Sequence, residues 1–358
     1  MTGVAGISMT HLENRRVVAE TRGGPEILKI VREPVPEPAS GEVRIRIEAT
    51  GVSFADLLMR EGVHPETPGG IITIGWDVVG FVDEVGADVS GVSVGQRVAA
   101  LPVLGGYADY ICLRPEELVD VPKELEAAEA VAMVLNYMTA YQMLHRSVAA
   151  KAGTSILVHG AAGGIGTALL QLGGLIGLKM YGTAAPDSHD AIRALGGNPI
   201  DYLSQDFVQE IKQLTGDGVD AVFDGIGGKN VWRSFKALRP GGEVVAFGFT
   251  SSLKKGQLAE GLRHRFRGIT TIVLYMLAST FSLGRRKIKI YSIQRRMWAH
   301  RADFHEDLTE LFRLLKEGKI KPLIAARIPL ADARKAQEML ASGKIKGKIA
   351  LICGQSAS

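Results

Sequence analysis

The sequence predicts an α/β protein in which a partly open β-barrel is interrupted by a doubly wound parallel sheet. Three observations predict it. Between residues 16 and 121, short polar–apolar alternations are separated by Gly, Ser and Asp turns, the pattern of half-buried strands. From 156 onward, apolar β-branched runs alternate with helical ones, as βαβ units do. At Ile156-Leu-Val-His-Gly-Ala-Ala-Gly-Gly-Ile-Gly-Thr-Ala-Leu-Leu170 an apolar run breaks into small residues before a helical pattern starts. That is how a strand, a tight turn and a helix N-terminus read in sequence. At 358 residues the chain is long for one core, so two domains are the default.

The elements follow in order. Residues 1–13 lack a basic-then-apolar signal pattern and read as a loose tail. Glu33-Pro-Val-Pro-Glu-Pro38 is an extended connector, because proline fixes φ and lacks a ladder donor. Glu42-Val-Arg-Ile-Arg-Ile-Glu48, Val78-Val-Gly-Phe-Val-Asp-Glu-Val-Gly86 and Gly95-Gln-Arg-Val-Ala-Ala100 read as barrel strands. A helical pattern over 124–147 leads into the parallel sheet. After the turn come a second strand, Met180-Tyr-Gly-Thr-Ala184, and a helix over 191–195 that closes at Gly196-Gly197. Asp220-Ala-Val-Phe-Asp224 is a strand ending in the loop Gly225-Ile-Gly-Gly228. A helix over 232–238, stopped by Pro240-Gly-Gly242, precedes the strand Glu243-Val-Val-Ala-Phe-Gly248. Beyond 311–316, Arg327-Ile-Pro-Leu330, a helix over 331–340 and Gly347-Lys-Ile-Ala-Leu-Ile352 return to the barrel. The limits read from this pattern are 1–135, 136–324 and 325–358, with no internal repeat.

In the turn, Gly163 and Gly164 are expected to bend the backbone sharply and let it approach a pyrophosphate, flanked by Ala162 and Ile165. The first-turn N–H groups and the helix dipole favour that charge. Gly166 lets helix and strand pack closely. Ala161 stands where G-x-G-x-x-G has its first glycine. The unit reads as a dinucleotide-binding domain.

Composition excludes several classes. With 46% hydrophobic and 22% charged residues the chain is ordinary globular protein. Two cysteines, Cys112 and Cys353, make neither a disulfide framework nor a four-thiolate zinc site, which points to a reducing, cytoplasmic compartment. The net charge of +4 is local. Ten Lys or Arg and no Asp or Glu lie within 261–302, leaving 32 basic against 38 acidic residues elsewhere. That distribution argues against general nucleic-acid binding.

Several motifs together resemble the medium-chain dehydrogenase/reductase superfamily: Gly51-Val-Ser-Phe-Ala-Asp56, Gly75-Trp-Asp-Val-Val-Gly80, Gly105-Gly-Tyr-Ala-Asp-Tyr110, the 161–166 turn, Gly182-Thr183, Ile200-Asp-Tyr202 and Gly347-Lys-Ile-Ala350. The resemblance covers about 16–352 and implies a GroES-like catalytic barrel, an inserted Rossmann domain and a homodimer. Within it the chain is most similar to the zinc-free quinone oxidoreductases. Asn136-Tyr-Met-Thr-Ala-Tyr141 and the stretch after Thr250 resemble the branch that contains the vesicle-amine-transport protein of synaptic vesicles. For the nicotinamide cofactor the resemblance implies contacts from Asn136, Thr139, Phe247, Gly248 and Lys348 besides the turn.

The departures bear on chemistry. Zinc-dependent members take ligands from a Cys, a His and a second Cys. Here those positions carry Ser53, Trp76 (followed by Asp77) and no Cys near Asn136, so no zinc is expected. Without a Lewis acid, hydride transfer to a quinone or an α,β-unsaturated carbonyl is easier to support than alcohol oxidation, because the acceptor delocalises the incoming charge onto oxygen. Ser53, Asp56, Arg60 and Tyr107 are the candidate substrate contacts, and Ser53 has the alternative of merely filling space left by a lost ligand. The tyrosine that related reductases offer after this segment is missing from Asp56-Leu-Leu-Met-Arg60. His64 sits in a loop and is expected to be exposed unless it reaches the cleft.

The second strand ends in Gly182-Thr-Ala-Ala185 without the carboxylate that usually holds NAD ribose hydroxyls, which favours NADPH over NADH. Ser188, His189, Arg193 and Tyr202 are the candidates for a 2′-phosphate, with Asp187 a contrary sign. Arg263, Arg265 and Arg267 precede the apolar run 268–284, and Arg285, Arg286, Lys287 and Lys289 follow it. The run is marginal for a membrane span. It reads as a core or dimer-edge strand over 269–274, followed by a flap over the substrate cleft or a surface touching anionic lipid. Two functions stay open: an NADPH-dependent reductase of quinones or enones, or a reductase-like nucleotide-binding protein that acts as a membrane-associated or interaction protein.

Overall fold

The computed structural model describes residues 13–252 and 286–354. The N-terminal tail through residue 12 and, in the basic segment, everything before Arg286 lie outside the described residues, so the readings made for 268–284 are not addressed by it.

Two sheets build the first part. β1 (Glu13–Ala19) pairs antiparallel with β2 (Leu28–Pro34) and, at its end, with β4 (Ile72–Thr73). The second sheet is organised around β3 (Val43–Val52), which pairs with β5 (Val78–Val85), β7 (Tyr110–Leu113) and β16 (Lys348–Ile352). Its order is β15-β16-β3-β5-β6-β8, with β6 (Arg97–Ala100), β8 (Val119–Asp120) and β15 (Ile324–Pro329). The alternation read at 42–48 is the reason: Val43, Ile45, Ile47 and Ala49 face the core while Arg44 and Arg46 face outward. Each buried aliphatic there contributes roughly 1.5–3 kcal/mol. The sheet stays open, as a partly open barrel should.

α1 (Phe54–Arg60) leaves the end of β3, capped by Ser53. The helical run expected over 124–147 starts at α2 (Ala127–Ala132), where the Glu126 carboxylate accepts the Ala128 and Glu129 N–H groups. It continues through a wide π turn over Met133–Tyr137, α3 (Met138–Gln142) and a second π turn over Met143–Ser147.

The second part is a six-stranded parallel sheet. In chain order its elements are β9 (Ser155–His159), α4 (Gly164–Leu175), β10 (Lys179–Ala184), α5 (His189–Ala194), β11 (Asn198–Asp201), α6 (Phe207–Thr215), β12 (Val219–Asp224), α7 (Lys229–Lys236), β13 (Leu238–Ala246) and β14 (Lys287–Ile290). The strand order β11-β10-β9-β12-β13-β14 places β9 where the connections reverse direction, the point at which such sheets bind ligands. One local reading needs correcting. Pro240-Gly-Gly242 does not stop a helix; α7 ends at Lys236 and β13 already begins at Leu238. The register slips between Val219 and Ala221, so residues 239–242 form an irregularity in which Pro240 owes no ladder hydrogen bond.

α8 (Ile293–Ala299) and α9 (Arg301–Lys316) pack back against the helical run; α9 buries Phe304, Leu308, Leu311 and Leu315 at helical spacing. Asp307 on α9 binds Gln142 and Arg146 across that contact. β15, α10 (Ala333–Ala341) and β16 then rejoin the barrel, β16 lying antiparallel to β3. Among the described residues no helix is long and apolar enough to cross a membrane.

Candidate active site and nucleotide-binding edge

The 160–166 turn is built differently from its sequence reading. Gly160 takes the left-handed backbone, at φ 68°, whereas Gly163 is extended, at φ −74° and ψ 175°, and is the N-cap of α4. The sharp bend therefore rests on Gly160, not on Gly163 and Gly164. Gly166 is needed for contact, since a Cβ there would lie 2.4 Å from the Gly160 carbonyl oxygen. Gly164 abuts Asn136: a Cβ would fall 1.9 Å from its Nδ2. Because the cap is a glycine, no side chain accepts the first-turn N–H groups of α4, unlike those of α1, α2 and α6. That leaves a set of N–H donors suited to an anion. The return strand closes the turn from below: Gly347 N–H donates to Ala162 O at 2.9 Å, and Gly163 bridges Gly347. Ile165 packs partly buried against the main core.

At the end of β10, Gly182 is pressed on Ala161, and Thr183 is buried with its hydroxyl 3.0 Å from His159 Nδ1. Ser188 is buried and donates to Asp187 Oδ1, His189 Nε2 lies 3.4 Å from Ala184 O, and Tyr202 is exposed beyond β11. Arg193 pairs with Asp190 on the surface. Sequence reading missed Lys346, whose ammonium crosses from the return segment to the Asp187 carbonyl. Its signal was the repeated Lys344, Lys346 and Lys348 before the last strand. On the other side of β9, Phe247 and Gly248 pack on Gly225, where a Cβ would lie 2.9 Å from the Phe247 ring. Thr139 lies buried one turn after Asn136, beside Tyr291.

On the barrel side the candidate substrate contacts separate. Ser53 is half-buried at the start of α1 and donates its hydroxyl to Asp56 Oδ2 at 2.8 Å; its own N–H donates to the same oxygen at 2.7 Å. Asp56 is fully buried and also accepts the Gly75 N–H at 3.1 Å. Burial, helped by the neighbouring Asp77, pushes its carboxyl up to about 7 against the hydrogen bonds from Ser53. Arg60 and Tyr107 do not face a cleft, which corrects their reading as substrate contacts. The Arg60 guanidinium is 2% exposed and is spent on Gly23 O, Gln337 Oε1 and Glu61. Tyr107 has no exposed surface, and burial together with Asp56 raises its phenol well above the usual range. Both were placed correctly in sequence beside the motif but were drawn into the fold by neighbours distant in the chain.

His64, by contrast, is not a loose loop residue. Its ring packs edge-on to Trp76 at 5.4 Å and lies 6.0 Å from Phe249, which follows β13 in the parallel-sheet part. The three rings join the two halves of the molecule. Nδ1 accepts the Glu66 N–H at 3.3 Å, and burial pushes the imidazole down to about 4, so it is neutral at pH 7. The Trp76 indole N–H is buried with no acceptor among the described residues.

Between these two surfaces lies a buried ion pair. Lys348 Nζ is 2.7 Å from Asp77 Oδ2 and 3.4 Å from Asn136 Oδ1, while Asp77 Oδ1 accepts the Gly51 N–H at 2.7 Å. Lys348 and Asp77 are 2% and 0% exposed at their side chains. Lys348 thus reaches the turn through its neighbour Gly347 and through Asn136, which abuts Gly164. The same residues do not fit a zinc ion: the Ser53 hydroxyl is committed to Asp56, the Trp76 nitrogen only donates, and the Lys348 ammonium already sits beside Asp77 and Asn136.

An open barrel joined through a buried seam to a parallel sheet with an uncapped switch-point turn is the architecture of a dinucleotide-binding protein. Residues 39–123 match the alcohol dehydrogenase GroES-like domain family, and 195–351 match the zinc-binding dehydrogenase family. The rat synaptic vesicle membrane protein VAT-1 homolog is 31% identical over 343 residues, covering 93% of this chain and 82% of that protein. A 2-haloacrylate reductase from Burkholderia sp. is 30% identical, covering 94% of this chain and 98% of the relative. The crystal structure of Escherichia coli quinone oxidoreductase complexed with NADPH superposes with a TM-score of 0.82 at 28% identity, covering 94% of this chain and 99% of that one. The chain belongs to the zinc-free quinone oxidoreductase family of the medium-chain dehydrogenase/reductase superfamily, near the VAT-1 branch, and is an oxidoreductase.

Proposed function

We propose that the protein is an NADPH-dependent, zinc-independent reductase of a quinone or an α,β-unsaturated carbonyl. The observation that carries this reading is the uncapped N-terminus of α4, closed from below by Gly347 and set beside an ammonium rather than a metal site. When bound, NADPH supplies the hydride. The protein's part begins with the diphosphate, which the first-turn N–H groups from Gly164 onward hold. Lys346, His189 and Ser188, each bonded at or just beyond the end of β10, would hold a 2′-phosphate, and Asp187 is already engaged by Ser188. The Trp76 indole N–H would offer a polar hydrogen to the oxygen that gains charge, and the His64–Trp76–Phe249 rings would exclude water from it. The names of the relatives, which include a quinone oxidoreductase and a reductase of an unsaturated acid, support the acceptor class.

The test is NADPH consumption by metal-free protein against a panel of quinones and enones, with NADH in parallel. Turnover of none of them, or turnover that requires added zinc, refutes the reading. The homodimer implied by the resemblance and a cytoplasmic location are part of this proposal. A second reading, a membrane-associated protein that retains the nucleotide site, is favoured by the basic 261–302 segment together with the VAT-1 similarity.

A further inference from the structure

Beneath the C-terminal ends of β9, β10 and β12 runs a buried chain of four polar side chains. Thr183 Oγ1 lies 3.0 Å from His159 Nδ1, His159 Nε2 lies 2.9 Å from Ser234 Oγ, and Ser234 Oγ donates to Asp224 Oδ2 at 2.7 Å. None of the four is more than 5% exposed. Asp224 goes on to hold the loop that follows it: Oδ1 accepts the Ile226 and Gly227 N–H groups at 2.9 Å each, and Oδ2 accepts Asn230 Nδ2 at 3.0 Å. Gly227 and Gly228 in that loop take left-handed backbone, at φ 76° and 59°.

The direction of every proton in the chain follows from its acidic end. Asp224 as a carboxylate only accepts, so the single Ser234 proton is committed to it. Ser234 can then only accept from His159, which places the imidazole hydrogen on Nε2. Nδ1 is left as an acceptor, and the Thr183 hydroxyl must donate to it. The surroundings keep the ring neutral. The Phe207 ring meets it edge-on at 4.7 Å from α6, burial lowers its proton affinity, and Arg233 on α7 opposes a second positive charge more weakly than Asp224 favours one. Arg233 itself lies over Phe207 and pairs with Asp206.

Such a chain stabilises the fold less than apolar side chains of equal volume would, so its position is informative. It underlies the switch point: its Asp224 end fastens the loop 225–228, and its Thr183 end fixes the end of β10, directly before the loop 185–188. Both loops flank the phosphate-binding turn. We infer that the Thr183–His159–Ser234–Asp224 relay positions the adenosine half of the dinucleotide by locking the spacing and orientation of those two loops. His159 and Ser234 are positioning residues here, acting on the cofactor through loops they do not belong to. The inference rests on the nucleotide reading above.

The experiment measures binding of NADPH and of adenosine 2′,5′-bisphosphate, which carries only the adenosine half, by calorimetry. Ser234→Ala and Thr183→Val are expected to weaken both by about tenfold, because each leaves a buried group unpaired and frees a loop. Thr183→Ser, which keeps the hydroxyl, is expected to stay within about twofold of the parent protein. In turnover, the loss falls on KM for NADPH and not on kcat. Should a variant fail to fold, nitrogen-detected NMR of the parent protein answers instead: His159 is expected as the Nε2–H form at neutral pH, with ring signals that move when the bisphosphate is added. The opposite tautomer, or unchanged affinities in folded variants while the parent binds both ligands, overturns the relay alone. A parent protein that binds neither ligand overturns the nucleotide reading and the relay with it.

Discussion

Replacing Lys348 with Met isolates the seam between barrel and turn. The substitution keeps the stem's volume and removes one charge, leaving Asp77 with no exposed surface and a single remaining partner, the Gly51 N–H at 2.7 Å. Asn136 presents only its carbonyl oxygen to that place, 3.4 Å from the lost ammonium, and an oxygen cannot satisfy a carboxylate. Breaking a buried pair from one side costs roughly 3–5 kcal/mol, against the 5–15 kcal/mol that holds a typical domain. For a domain of this size each kcal/mol lowers Tm by roughly 2–4 °C, so a fall of about 6–20 °C is expected in a thermal melt. Asp77→Asn in the Lys348→Met background removes the stranded charge while keeping an oxygen for Gly51, and it is expected to recover at least about 1 kcal/mol of the loss. Urea unfolding of the four proteins completes the cycle. A single-variant loss below about 1 kcal/mol, or a double variant no more stable than Lys348→Met, refutes the argument that the pair is desolvated and mutually dependent.

Four further outcomes are expected. Gly164→Asp places a Cβ 1.9 Å from Asn136 Nδ2 and a negative charge at the diphosphate position, so nucleotide affinity falls by roughly a hundredfold or more in a folded protein; retained affinity means the turn does not bind phosphate. Elemental analysis is expected to find no stoichiometric zinc, and chelation is expected to leave turnover unchanged; activity restored by zinc would contradict the Lys348–Asp77 arrangement. His64, held at about 4 in the fold against 6.5 when unfolded, contributes stability that is present above 6.5 and lost as pH falls toward 4, because only the unfolded chain takes up the proton in that window. Between pH 7.5 and 5 the loss from His64 is about 2 kcal/mol, and His64→Phe should shrink the acid limb in urea titrations by that share, leaving that of the buried His159; an unchanged limb assigns it to other groups. Charge reversal at Arg285, Arg286 and Lys287 is expected to abolish any salt-sensitive binding to anionic liposomes, each cation contributing on the order of 1 kcal/mol near the bilayer, or else to change substrate KM; neither change means these cations are a solvated surface.

The parallel sheet was legible because its grammar is local. The apolar run before Gly160, the glycines after it and the alternation of strands with helices each need only a few neighbouring residues, and their order alone gives the switch point at β9. The barrel strand β3 was legible for the same reason, as period two between Val43 and Ala49. What the local grammar missed was anything decided by sheet register or long-range pairing. Gly160 rather than Gly163 takes the left-handed backbone, a distinction the glycine pattern does not encode. Pro240 lies in a strand because the register slips there. Lys346 and Lys348 meet Asp187 and Asp77 only once β16 returns beside β3, after some 160 and 270 residues of chain.

The substrate side was the least legible part, and the physical reason lies in what polar residues do when a small barrel must close. Ser53, Asp56, Arg60 and Tyr107 all read as chemistry, because polar groups clustered near a lost metal position suggest a replacement for it. Three of the four are instead consumed by the fold: Asp56 satisfies two backbone donors and a hydroxyl, Arg60 ties α1 to α10 through Gln337, and Tyr107 fills the core beneath them. Two residues with weaker signatures in sequence, a loop histidine and a tryptophan, sit instead where the barrel meets the parallel sheet. The His64 ring lies against both Trp76 and Phe249, and Trp76 brings there a buried N–H that nothing among the described residues accepts. Where a metal would polarise an oxygen, this chain offers an indole donor, the Ser53 hydroxyl being committed to Asp56. A site so lightly equipped suits an acceptor that can carry the incoming charge itself, which is the property quinones and unsaturated carbonyls share. Trp76→Phe is then expected to lower kcat by about tenfold with little change in KM for NADPH, and an equal effect on both would place the indole in the cofactor's support instead.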